Sequence, residues 1–251
     1  MAYNKTQLNP DQTFERHVYH RDQFAHYLRW THVLKRVEIG MNILDVGCGS
    51  GNLAEVFYRN RFKPNRYLGL DVRKQTIDQN NDKFKDIPWA RFECKDVVQI
   101  MDERQNEWDL ICSFETLEHV GKNNVPSLLD GIKNCMTQKT IFLMSTPCYD
   151  EKVGAADNHT YDSDDGRGVA VQEFTFNEMK QLLEERFEIT GKWGTFASIK
   201  DYKARLGEIH GLEDIYKKFH EYFDPNILSN LMAPLFPEQS RNVMWELRLK
   251  P

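Results

Sequence analysis

The sequence predicts a doubly wound α/β fold: a mostly parallel, seven-stranded sheet with an N-terminal helical segment and a helical insertion before the last strand. Three observations carry this. Short apolar runs alternate with helical patterns over most of the chain. The strand runs are apolar throughout rather than at every second residue, as in strands covered on both faces. Glycines cluster at the first strand-to-helix turn, DVGCGSGN, where such sheets bring backbone close to a ligand.

In chain order, Asn9-Pro10 marks a helix start, with Asn9 as cap and Pro10 in the first turn. Helical pattern runs on to about Arg36, with Phe14, Val18, Ala25 and Leu28 as its apolar stripe. MNILDVG reads as the first strand and GNLAEVFYRNRF as its helix. RYLGLDV and RKQTIDQNNDKF repeat the pair. ARFEC and WDLICSF are the third and fourth strands, VPSLLDGIKNCM is a helix and TIFLMST the fifth strand. The glycine- and aspartate-rich stretch from Pro147 to Gln172 is a long loop, of the kind that is functional or mobile. FTFNEMKQLLEERF is a helix and EITGKWGTFA the sixth strand. Residues 199–239 read as short helices, LEDIYKKFHEYF and NILSNLMAPLF, forming a cap before the last strand, RNVMWELRLK. The expected organisation is one domain over 1–251: helical segment 1–40, cofactor-binding core 41–198, cap 199–239 and last strand 240–251.

Composition fits a soluble globular chain of 251 residues, 40 % hydrophobic and 28 % charged. The net charge of −5 argues against a protein that grips a long nucleic acid by its phosphates. No apolar run approaches the ~20 residues of a membrane span, and the first residues lack an apolar signal core. A cytoplasmic protein with no membrane partner is expected. The five cysteines form no CxxC pair, and Cys94, Cys112 and Cys148, in or beside strands, are expected to be buried thiols.

The glycine turn has the spacing G-x-G-x-G, in Gly47, Gly49 and Gly51. Asn52 stands where the dinucleotide fingerprint G-x-G-x-x-G requires glycine, which argues against a nicotinamide-dependent dehydrogenase. Asp71 closes the second strand, where a carboxylate suits ribose hydroxyls. Asp96 follows the third strand, and Ser113, Phe114 and Glu115 end the fourth. Read one at a time, the glycines could serve only turn geometry and the aspartates only helix caps.

Together, ILDVGCGSGN, YLGLDV, CKDV and WDLICSFETLEHV resemble the four successive cofactor motifs of class I S-adenosylmethionine-dependent methyltransferases, over roughly Ile43 to Pro147. The resemblance implies a Rossmann-like methyltransferase. Asp45, Gly47, Cys48, Gly49 and Gly51 would line the loop facing the methionine part. Asp71 would take the ribose and Asp96 the adenine, with Val72, Val97, Ser113 and Phe114 beside them.

FETLEHV places Glu115, Glu118 and His119 at i, i+3 and i+4, which share one face on a helical turn. This motif is similar to that of the ubiquinone-biosynthesis O-methyltransferases and of the small-RNA 3′-terminal 2′-O-methyltransferases. Both pair it with a later histidine, here His159 in DNHTYD. The resemblance implies a divalent cation such as Mg held by Glu115, Glu118, His119 and His159, or His119 and His159 as catalytic groups without one. The acidic stretch from Tyr161 to Val171 departs from the family spacing. A plainer alternative has Glu118 or His119 capping a helix or touching the cofactor.

DSDDG fails the calcium-loop spacing and reads as a solvated acidic loop. His17, His20, Arg21, His26, Arg29 and His32 read as the solvated face of a surface helix, or as groups folded over the cofactor. Trp193, Tyr202, Tyr216, Phe219, Tyr222 and Phe223 would build a small core or wall an acceptor pocket.

The function expected is transfer of a methyl group from S-adenosylmethionine to an oxygen or nitrogen of a small molecule held under the cap. The alternatives are a metal-assisted enzyme acting on a nucleotide or nucleic-acid sugar hydroxyl, and a non-catalytic cofactor-binding protein. Acceptor and oligomeric state are not legible in the sequence.

Overall fold

A computed structural model describes residues 21–96, 108–149, 172–197 and 202–251. Its helices are α1 (Arg21–Leu34), α2 (Asn52–Arg59), α3 (Lys74–Lys83), α4 (Val125–Asn134), α5 (Phe176–Glu184), α6 (Leu212–Tyr222) and α7 (Pro225–Met232). Its strands are β1 (Asn42–Val46), β2 (Arg66–Asp71), β3 (Ala90–Cys94), β4 (Leu110–Phe114), β5 (Ile141–Tyr149), β6 (Phe174–Thr175), β7 (Phe187–Ala197) and β8 (Ser240–Leu249). The chain divides into two compact units, one of 33–191 and 245–251, the other holding 192–244 with the residues up to His32.

The sheet follows the order β3-β2-β1-β4-β5-β8-β7, with β1 to β6 wholly in the larger unit and β7 and β8 partly in it. That path supplies the seven expected strands, and the two-residue β6 adds to β5. β1 through β6 pair in parallel; Leu44 lies opposite Leu68, Asp45 opposite Cys112, and Cys148 opposite Phe174. Thr195 reaches Asn242 and Thr190 reaches Glu246, so β7 and β8 run antiparallel. Ile43, Leu44, Leu110, Ile111, Phe142 and Leu143 are buried along successive strands, which explains their unbroken apolar runs. The covering helices present narrow apolar stripes, such as Leu53, Ala54 and Phe57 on α2. Thr175 and Glu178 form a reciprocal capping box at the start of α5, as the spacing Thr-x-x-Glu prescribes. Strand order reverses between β1 and β4, and ligands of doubly wound sheets bind at the carboxyl ends on either side of such a reversal.

In the smaller unit, Tyr202, Leu206, Tyr216, Leu228, Met232 and Phe236 form a core of their own, with Phe219 packed on it. Tyr222 and Phe223 are exposed. On α1 the buried positions include Ala25 and Arg29, one turn apart, while Leu28 is only half-buried. Arg29 therefore does not lie on a solvated face. Its Nη2 lies 2.9 Å from His26 Nδ1. Burial, and then the Arg29 charge, push the His26 pKa down to about 3. The ring is thus neutral, and its Nδ1 accepts a hydrogen bond from the guanidinium. The helix start at Asn9-Pro10 lies outside the described residues.

Cys94 is exposed, correcting the expectation of burial; the other four cysteines are buried and all five are free. No helix among the described residues is long and apolar enough to cross a membrane.

Candidate active site

The glycine turn sits at the carboxyl end of β1. Gly47, Gly49 and Gly51 all have positive φ, between 52° and 76°, a region that other residues enter only at a cost. The amides of Gly47 and Cys48 both donate to Leu70 O of β2, at 2.8 and 2.9 Å. Gly49 is held from two sides: its amide donates to Asp71 Oδ2 at 3.1 Å, and its carbonyl accepts from Asn80 Nδ2 at 2.7 Å. Gly51 then caps α2. A Cβ on Gly47 would lie 2.2 Å from Thr116 Oγ1, so the turn and the segment after β4 meet at the point where strand order reverses.

Asp71 is 3 % exposed at the end of β2. Besides the Gly49 amide it accepts from Arg73 N, Nε and Nη2, at 3.0, 3.0 and 3.1 Å. A carboxylate has about four acceptor positions, and these four donors fill them. Burial alone would raise its pKa, but the Arg73 bonds and charge with the Gly49 amide hold it below the usual carboxylate range. Val72 beside it is partly exposed, and Asp96, after β3, is exposed. Val97 lies outside the described residues.

Asp45 is buried inside β1, where Tyr67 Oη donates to its Oδ2 at 2.5 Å. Burial raises its pKa to about 7, with the Tyr67 bond opposing and the Asp71 charge adding to the rise. Cys48 is buried, and its thiol pKa is pushed up by burial and the Asp45 and Asp71 charges, so it is no nucleophile. Ser113 is fully buried in β4, its Oγ without a hydrogen-bond partner among the described residues, while Phe114 is half-buried.

Glu115, Glu118 and His119 do not share a helical turn. Glu115 has φ 51°, outside any right-handed helix, and only a short 3₁₀ turn, Leu117–His119, follows. The tie is tertiary. The Glu115 amide donates to Ser145 O at 2.9 Å, and Ser145 Oγ donates to Glu115 Oε1 at 2.7 Å. Thr146 Oγ1 donates to Glu118 Oε2 at 3.2 Å. Glu118 is 3 % exposed, and its Oε1 lies 3.9 Å from His119 Nε2, whose side chain is 31 % exposed. A buried carboxylate thus stands beside a partly exposed imidazole. Among the described residues, no group of three or more His, Cys, Asp or Glu is placed to hold a metal. His159 lies outside them.

The sequence reading missed Arg73, Tyr67, Thr116, Ser145 and Thr146. Ser145 and Thr146 carried a signal, as polar residues ending the apolar run IFLM. Tyr67 carried none, because its bond to Asp45 depends on strand register.

A methyltransferase-domain family model matches residues 19–189, more than half of the chain. Ubiquinone biosynthesis O-methyltransferases are similar over shorter stretches. The mitochondrial protein of Saccharomyces cerevisiae is 30 % identical over 124 residues, 46 % of this chain and 36 % of that protein. That of Coxiella burnetii is 31 % identical over 98 residues, 38 % of each. The chain thus spans little more than a third of the length of these relatives. Among solved structures, a S-adenosylmethionine dependent methyltransferase from Mesorhizobium loti aligns with TM-score 0.59 at 16 % identity, over 91 % of this chain and all of that one. Geranyl diphosphate C-methyltransferase from Streptomyces coelicolor, in complex with Mg2+ and S-adenosyl-L-homocysteine, aligns with TM-score 0.59 at 11 % identity, over 98 % and 90 %. These two show the fold. With the family model and the site at the reversal of strand order, they identify the chain as a member of the methyltransferase-domain family, a class I S-adenosylmethionine-dependent methyltransferase.

Proposed function

We propose that the enzyme methylates a hydroxyl oxygen of a small molecule and that His119 is the general base, supported by Glu118. The observation that carries this reading is the buried Glu118 carboxylate 3.9 Å from the partly exposed His119 imidazole, beside the glycine turn. The similarity to ubiquinone biosynthesis O-methyltransferases supports an oxygen acceptor.

The residues present fit the cofactor: a glycine-rich turn, and beside it the Asp71 carboxylate, which the Arg73 guanidinium would release to the ligand. The turn would hold the methionine part and Asp71 the ribose, at the positions that the Arg73 guanidinium fills here. Asp96 would serve the adenine. When bound, S-adenosylmethionine supplies an electrophilic methyl group on a sulfonium. A hydroxyl is a weak nucleophile until it loses its proton, and proton transfer to a positioned base contributes about 10²–10⁴-fold. His119 takes that proton as the oxygen attacks, and Glu118 stabilises the imidazolium formed. The described carboxylates favour this base over a metal, since Glu115 and Glu118 are turned to separate hydroxyls of β5.

The test combines calorimetry and turnover. S-adenosylhomocysteine should bind Asp71→Ala at least about tenfold more weakly than wild type, about 1.4 kcal/mol. With catechol and adenosine as probe acceptors, methylated product is expected on catechol. His119→Ala should lower kcat about 100-fold or more while binding S-adenosylhomocysteine like wild type. An unchanged kcat in His119→Ala overturns the base. Loss of turnover in a chelator, or product on adenosine alone, would move the reading to the metal-assisted, sugar-hydroxyl alternative.

A further inference from the structure

The Glu118–His119 segment is held from a second direction, by a residue that no motif marks. Gln172 is the first described residue after 150–171, two positions before β6. Its amide donates to Glu118 O at 2.8 Å, and its side-chain Oε1 accepts from the Lys122 amide at 2.6 Å. The two bonds grip the chain on either side of His119. They close over Gly121, whose φ of 82° turns the backbone back toward Gln172. The Gln172 end is anchored in turn. Cys148 pairs with Phe174 and Tyr149 with Thr175, tying β6 to the same strand that carries Ser145 and Thr146. Lys122 reinforces the grip, with Nζ 4.8 Å above the Phe174 ring and 3.4 Å from Glu178 Oε2.

A three-residue 3₁₀ turn fixes little by itself, because its hydrogen-bond geometry is poor and it lacks a helix's successive bonds. Inside it, the His119 amide donates to Thr116 O at 3.0 Å. β5 fixes the carboxylate end of the pair through Thr146. Beyond His119 the backbone has bonds within its own segment, Val120 N to Leu117 O at 3.3 Å and Asn124 Nδ2 to Val120 O at 2.8 Å, and Gln172 ties that segment to β6.

We propose that Gln172 is a positioning residue for methyl transfer: it holds the backbone between Glu118 and Lys122 so that the His119 ring stays beside Glu118 and in reach of the acceptor hydroxyl. The proposal rests on the reading of His119 as the base. It assigns a role to the point where the chain returns to the sheet, and it concerns the rate of transfer rather than cofactor binding. Gln172→Ala removes the side-chain bond only; Gln172→Glu keeps an oxygen that accepts from the Lys122 amide.

The experiment follows catechol methylation and amide hydrogen exchange in wild type, Gln172→Ala, Gln172→Glu, His119→Ala and the double variant Gln172→Ala/His119→Ala. Gln172→Ala should lose about tenfold or more in kcat, with S-adenosylhomocysteine affinity as in wild type. The Lys122 amide should exchange faster in that variant, and Gln172→Glu should restore both rate and protection. Because Gln172 acts through His119, adding Gln172→Ala to His119→Ala should cost nothing further. A full rate in Gln172→Ala beside a slow His119→Ala would overturn the positioning role and leave the base standing. A full rate in His119→Ala would overturn both. Loss of S-adenosylhomocysteine binding in Gln172→Ala, or additive losses in the double variant, would show a structural role and overturn the proposal.

Discussion

Asp45 and Asp71 lie two strands' ends apart in the same site, yet their surroundings drive them in opposite directions. Asp71 meets four donors and a guanidinium, so its charge is stabilised. Asp45 meets one hydroxyl in the interior of β1 and is pushed up to about 7 from the ordinary 3.8. The sign of the consequence follows from proton counting. Between those two values the folded protein keeps a proton that the unfolded chain has lost, so stability falls as pH rises across that window. The contribution is complete below about pH 4 and is lost as pH passes about 7. Asp45→Asn keeps an oxygen for Tyr67 and removes the titration. Measured by denaturant midpoint, the variant should gain on wild type steadily from pH 5 to pH 8. A difference that does not change with pH would show that Asp45 ionises in the fold as easily as in the unfolded chain. Sequence placed Asp45 in the cofactor loop by motif, but its burial and its phenolic partner are properties of strand register, which the motif does not contain.

At the scale of the element, the strands were legible because both their faces are covered, which leaves an apolar run with no alternation. The glycine turn was legible because three positive-φ positions in five residues need glycine. The segment after β4 was not. FETLEHV has helical spacing, but Glu115 is drawn into a left-handed conformation by Ser145, 30 residues away, and local spacing carries no trace of that partner. α1 misled similarly: its stripe reads as apolar, but the fold buries Arg29, whose guanidinium donates to a neutral His26. Where the turn and the segment after β4 meet, the fit is steric. A methyl group on Gly47 would fall 2.2 Å from Thr116 Oγ1 and 2.5 Å from its Cγ2, at φ 76°. Overpacking costs roughly 1–3 kcal/mol, and the left-handed backbone about 1–2 more. Gly47→Ala should therefore lose at least about 2 kcal/mol of stability by chemical denaturation. Gly47→Ala/Thr116→Gly should recover the steric part and keep the backbone part. If the second change recovers nothing, Thr116 is not what the glycine makes room for.

At the scale of the molecule the question is whether the two compact units fold as one domain, as expected from the sequence. Each has a core: the sheet in one, the cluster around Tyr216 and Leu228 in the other. Two separate cores would permit two transitions. Against this stands the path of the chain. β7 runs unbroken from Phe187 to Ala197 and β8 from Ser240 to Leu249, and each strand crosses from one unit into the other within its own length. The strands are paired, Thr190 with Glu246 in one unit and Thr195 with Asn242 in the other. Unfolding the smaller unit alone would mean ending both strands in mid-ladder and fraying their pairing where the chain leaves the larger unit. One transition is therefore expected, with calorimetric and van't Hoff enthalpies equal. Leu228→Ala is the sharper probe. Leu228 is fully buried in the smaller core, and its truncation should cost roughly 2–5 kcal/mol. In a single cooperative domain that loss lowers the Tm of the whole chain. Amides of β1 and β4, remote in sequence from Leu228, would then lose exchange protection by the same free energy as those of α6 and α7. If protection falls in α6 and α7 while β1 and β4 keep theirs, the shared strands do not couple the units, and residues 202–239 fold independently of the sheet.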